Sequence, residues 1–129
     1  MVSFDEAAQM LDEIAGEFPA EFYKELNGGI NLLPDTKMHP QAGDDGALYI
    51  VGEYFRDLRG LGRYINIYFG SFEFLYGSYP KARQKAELRR ILRHEFTHHI
   101  ESLAGERGLE IKDFQDLERY KRRKGRRRE

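Results

Sequence analysis

Apolar positions near the start of the chain recur with helical spacing. Phe4, Ala7, Ala8, Leu11, Ile14, Ala15 and Phe18 fall at intervals that place them on one side of an α-helix. Ser3 with Glu6 three residues on is a capping box, so the first helix is predicted to start there. Pro19 breaks the pattern, and residues 21–26 read as a second helical piece closed by Asn27, Gly28 and Gly29. The period then shortens. Residues 30–33 (INLL), 47–55 (ALYIVGEYF) and 64–69 (YINIYF) are short, β-branched and aromatic, and are bounded by Pro or Gly; all three are predicted strands. The MHPQAGDDG segment between the first two is a loop by its Pro, Gly and Asp content.

Residues 81–104 return to a helical pattern, with Pro80 as a start signal and Gly105 as a stop. Leu88, Leu92, Phe96, Ile100 and Leu103 share one face of this helix, and His94, His98 and Glu101 lie roughly opposite. A last amphipathic piece, residues 113–120, would turn Phe114 and Leu117 inward. The order of a helix, then strands, then helices predicts an α+β fold, and 129 residues suit a single core.

Composition narrows the chemistry. The chain has no cysteine, so disulfides and thiolate metal sites are excluded and any metal must be held by imidazole, carboxylate and water. No cationic leader precedes an apolar run and no segment approaches the length of a membrane span, so the expected compartment is the cytoplasm. A formal net charge of -1 hides an asymmetry: residues 119–129 (RYKRRKGRRRE) are strongly basic and the rest is acidic. Such a block ordinarily extends into solvent as a tail. The alternative is weak, salt-dependent contact with a polyanion such as RNA.

The long helix contains His94-Glu95-Phe96-Thr97-His98, the pattern H-E-x-x-H. Histidines four apart project one helical turn apart from the same face, so both can reach one divalent ion, with zinc expected. Glu95 then sits beside the open coordination position as general base: it takes a proton from the activated water and returns it to the leaving amine. A single histidine is most often satisfied in the core by a carbonyl, but two of them off the apolar face and flanking a Glu fit that role poorly. A closed structural zinc site is usually cysteine-rich. For the third ligand the sequence leaves alternatives. Glu101 shares the face of His98 and could ligate or hold a ligating imidazole; Glu118 follows at a thermolysin-like spacing; His39 lies in a distant loop. His99 points about 100° away from His98 and reads as a surface or packing residue.

The run RHEFTHHIESLAGERGLEIKD, with INIYFGSF and LDEIAGEFPAEF upstream, resembles the small bacterial metallopeptidase-family, or minimal zincin-like, proteins. The resemblance covers nearly the whole chain apart from the basic tail. It implies one minimal domain over residues 1–118, a small mixed sheet of about three strands packed on helices, and the motif on a long C-terminal helix. It also implies His94 and His98 as metal ligands, Glu95 as the catalytic residue, Glu101 at an acidic position, and a peptide or protein substrate lying along a sheet edge. The YINIYF strand is the edge expected on this basis, with Tyr68 or Tyr76 as donor to a developing oxyanion. The competing expectation is a non-catalytic module on the same scaffold that contacts RNA or another anionic partner through the tail.

Overall fold

The computed structural model describes residues 2–39 and 48–107, the last two by backbone alone. The chain forms an α+β fold: helix α1 (Phe4–Ala15), a 3-10 turn (Ala20–Tyr23), strands β1 (Gly29–Leu33), β2 (Lys37–Met38), β3 (Tyr49–Ile50), β4 (Gly52–Asp57) and β5 (Gly62–Tyr68), then α2 (Phe69–Tyr76) and α3 (Lys81–Arg107). The predicted loop therefore begins later than expected, because Met38 pairs with Tyr49 in a two-stranded ribbon. Residues 113–120, the basic tail and Glu118 lie outside the described residues.

α1 starts where its capping box requires: Ser3 Oγ accepts from the Glu6 N–H at 3.1 Å, and Glu6 Oε1 accepts from the Ser3 N–H at 2.9 Å. Its apolar stripe, Ala7, Met10, Leu11 and Ile14, is buried. These side chains meet Ile65 and Ile67 of β5 and Leu88, Ile91, Leu92 and Phe96 of α3 in one core. Phe18, Phe22 and Tyr23 surround Phe96 with ring centroids 5.0, 5.4 and 5.1 Å away. The second helical piece is therefore one turn long and serves as an aromatic clamp.

The sheet has the order β1-β5-β4, with β1 parallel and β4 antiparallel to β5. The mixed three-stranded sheet matches expectation, but the place of YINIYF does not. That segment is β5, the central strand, paired on both sides. Its alternating Ile65 and Ile67 are fully buried, as the central strand of a sheet requires, and the edge beside α3 is β4. The β4–β5 hairpin turns at Gly62, whose φ of +78° favours glycine.

α2 is not legible in the sequence. FGSFEFLY carries aromatic residues on more than one side, lacks a side-chain N-cap and contains Gly70, so neither periodicity nor capping marks it. α3 runs past Gly105 to Arg107, so the predicted stop is not the end of the helix. No helix among the described residues is long and apolar enough to cross a membrane.

Candidate metal centre

Helix α3 lies along the edge strand β4 in the same sense. A Cβ at Gly52 would stand 3.0 Å from Ile91 Cγ2 and 3.3 Å from Glu95 Cγ, and Tyr54 packs on His99. Glycine at position 52 is what allows the strand backbone to approach the motif so closely. The Val51 carbonyl accepts from the Tyr68 N–H at 2.7 Å. By the alternation of an antiparallel ladder, the backbone groups of Gly52, Tyr54 and Arg56 therefore point away from β5. The outer edge of β4 and the H-E-x-x-H turn of α3 form the two walls of a cleft.

On α3, the Nε2 atoms of His94 and His98 face each other at 3.1 Å. Two imidazole nitrogens on a tetrahedral zinc at about 2.0–2.1 Å stand roughly 3.3 Å apart, so the pair fits two positions of such an ion. Glu101 Oε1 lies 3.8 Å from Nδ1 of His98, the ring nitrogen other than the one that meets His94. That separation is beyond a hydrogen bond and within ion-pair range. Among the described residues, no three His, Asp or Glu side chains are gathered into a complete metal-ligand group. His39 stands exposed at the end of β2, its N–H donating to the Leu48 carbonyl at 2.9 Å, and lines neither side of the cleft.

Glu95 is only 5% exposed. Burial, and then the nearby Glu53 charge, push its carboxyl up to about 7. A carboxyl held near neutrality can both take and return a proton at physiological pH, the property a general base needs. Glu53 is itself engaged: its Oε1 accepts from Lys37 Nζ at 2.6 Å and from the Tyr68 hydroxyl at 2.7 Å. The Tyr68 hydroxyl proton is thereby directed to Glu53. Tyr76 does line the cleft, and its hydroxyl accepts from Arg90 at 3.0 Å.

His99, the third histidine of the run, is the packing residue. It is fully buried, with Nε2 on the Lys24 carbonyl and Nδ1 on the Tyr54 hydroxyl, both at 2.8 Å. Burial holds its pKa below the usual histidine value. The ring thus stays neutral and ties α3 to β4 and to the chain after α1.

The cleft extends to both sides of His94, Glu95 and Gly52. Towards β3 and α2 it opens into a space of about 570 Å³ walled by Tyr49, Ile50, Val51, Leu75, Tyr76 and Ile91. Towards the β4–β5 hairpin it opens into one of about 640 Å³ walled by Glu53, Arg56, His98, Glu101 and Ser102. Sequence reasoning passes over Gly52, Glu53 and Tyr54; the one signal is a glycine inside an otherwise β-branched and aromatic strand.

No family model and no curated protein matches the chain. Among solved structures, a conserved hypothetical protein from Thermo thermophilus is similar, with a TM-score of 0.68 and 28% identity, over 81% of this chain and 99% of that one.

Proposed function

We propose that the protein is a minimal zincin-like peptidase that binds zinc through His94 and His98 and hydrolyses peptide bonds with Glu95 as general base. The observation that carries this reading is the convergence of the two Nε2 atoms at 3.1 Å beside a buried carboxyl with a pKa near 7, in a cleft open along a strand edge. A zinc ion bound there would activate a water molecule and polarise the scissile carbonyl. Glu95 would take the proton and hand it to the leaving nitrogen. Glu101 would steady His98, and the outward backbone groups of Gly52 and Tyr54 would hold an extended peptide by strand addition. Tyr76, which lines the cleft with His94 and Glu95, would be the phenol that donates to a developing oxyanion. Glu101 is the candidate third ligand among the described residues, and Glu118, the other sequence candidate, lies outside them.

Elemental analysis of protein purified without chelator should give about one zinc per chain, lost in His94→Ala and in His98→Ala. Glu95→Gln should keep the zinc and lose peptide turnover. Failure to take up zinc when it is supplied, or full turnover by Glu95→Gln, would overturn the assignment and favour a binding module on this scaffold.

A further inference from the structure

The loop between β4 and β5 carries more apolar surface than its turn requires. Asp57 pairs with Gly62 at the base of the hairpin, and Leu58, Arg59, Gly60 and Leu61 close it. The Gly60 N–H donates to the Asp57 carbonyl at 3.3 Å, and Asp57 Oδ1 accepts from the Arg59 N–H at 3.2 Å. Asp at the first position and Gly at the fourth are what such a turn uses. It needs neither leucine, yet Leu58 is 66% and Leu61 59% exposed. The hairpin is braced as well, since the Gly28 N–H donates to the Arg63 carbonyl at 2.9 Å. Two large apolar side chains are thus held in water on one fixed, convex tip, a cost that burial against a partner would remove. Arg59 stands exposed between them, while the Asp57 carboxylate is turned back onto the loop backbone.

The fold brings a second source of positive charge to the same end of the molecule. β4 and α3 run in the same sense, Gly52 at Glu95 and Tyr54 at His99, and Arg63 Nε reaches Ser102 Oγ at 3.5 Å. Arg107, where α3 ends, lies about 7.5 Å past Ser102 along the helix axis, on the side of the hairpin tip. The chain continues from there to residues 119–129, which hold eight Lys and Arg against Glu129. The eleven residues between keep the start of that block within about 40 Å of Arg107 on any path. An apolar pair beside a dense cationic block suits an anionic bilayer surface, which takes leucines into its apolar layer and cations at its head groups. A nucleic acid offers the phosphates but no apolar layer for the leucines.

We propose that the hairpin tip, Leu58 and Leu61 with Arg59 between them, docks into an anionic lipid surface, with the basic block of residues 119–129 as its second contact. Two signals are needed because one alone holds a protein on a bilayer only marginally. The assignment is independent of the peptidase reading. In the test, the full chain is sedimented at low salt with vesicles of phosphatidylcholine carrying about 30% phosphatidylserine, and with phosphatidylcholine vesicles alone. It should bind the anionic vesicles about tenfold or more the tighter. Leu58→Asp combined with Leu61→Asp should weaken that binding by about tenfold or more, with the melting temperature kept because both side chains are exposed. Deleting residues 119–129 should weaken it by about as much again. The chain has no tryptophan, so Leu61→Trp supplies a single fluorophore whose emission should shift to the blue on the anionic vesicles. No binding to those vesicles, or binding that survives the leucine substitutions, overturns the proposal. Tighter binding to single-stranded RNA than to the vesicles, with the Trp emission unmoved, overturns it in favour of a nucleic-acid arm. Leucine-dependent dimerisation without vesicles overturns it in favour of a second copy of the chain.

Discussion

Glu95 links stability to chemistry through its ionisation. Its carboxyl titrates near 7 in the folded chain against 4.5 for the free side chain, first because burial removes water and then because Glu53 adds a like charge. With the folded value raised, the protonated form favours the fold. That stability is fully present below about pH 4.5 and is lost as pH rises through about 7. A glutamine has no such ionisation. In chelator-treated protein, Glu95→Gln should therefore be more stable than wild type at pH 8, by on the order of 2–3 kcal/mol, and no more stable at pH 4.5. Denaturant titrations at the two pH values would read the difference, and a gain of equal size at both would show that Glu95 is not held at a raised pKa. Protonation works in the opposite sense at His99. Its depressed folded value makes stability fall as pH drops below the ordinary histidine range, so the two groups pull the pH dependence of stability in opposite directions.

At the scale of elements, the junction between β4 and α3 governs the site, and it is only partly legible in the sequence. The capping box, the stripe of α1 and the helical placement of the H-E-x-x-H residues are local features, fixed by neighbours three or four residues apart, and the fold carries them as read. Which strand lies at the edge is set by pairings between distant segments. YINIYF has strong strand character, but strand character marks burial as well as edge position, and here Ile65 and Ile67 show that it marks the centre. Helix α2 escapes because its apolar residues lie on both its buried and its exposed sides and it has no side-chain cap, so neither amphipathic spacing nor capping marks it. Gly52 is the element-scale hinge of the site. Gly52→Ala would set a methyl 3.0 Å from Ile91 and 3.3 Å from Glu95, and overpacking of this kind costs about 1–3 kcal/mol. Because the same shift moves the strand edge away from Glu95, peptide turnover should fall roughly tenfold to a hundredfold while zinc content is kept. A variant with unchanged melting temperature and turnover would show that the close approach has no role in the site.

At the scale of the whole molecule, the question is how much of the chain the site needs. The similar solved protein is matched over 99% of its length by 81% of this chain, so the shared unit is shorter than the chain. The charge distribution points the same way: residues 119–129 hold a dense basic block while the remainder is acidic. A block of like charge beside an acidic body gains little from packing against a core and interacts mainly through screened Coulomb forces. Deleting residues 119–129 should leave melting temperature, zinc content and peptide turnover unchanged. If the full chain binds RNA, that binding should weaken by about three orders of magnitude between 50 and 200 mM salt and should disappear with the deletion. Turnover lost together with the tail would instead make the basic block part of the substrate-binding surface, one that draws in anionic substrates by screened Coulomb attraction.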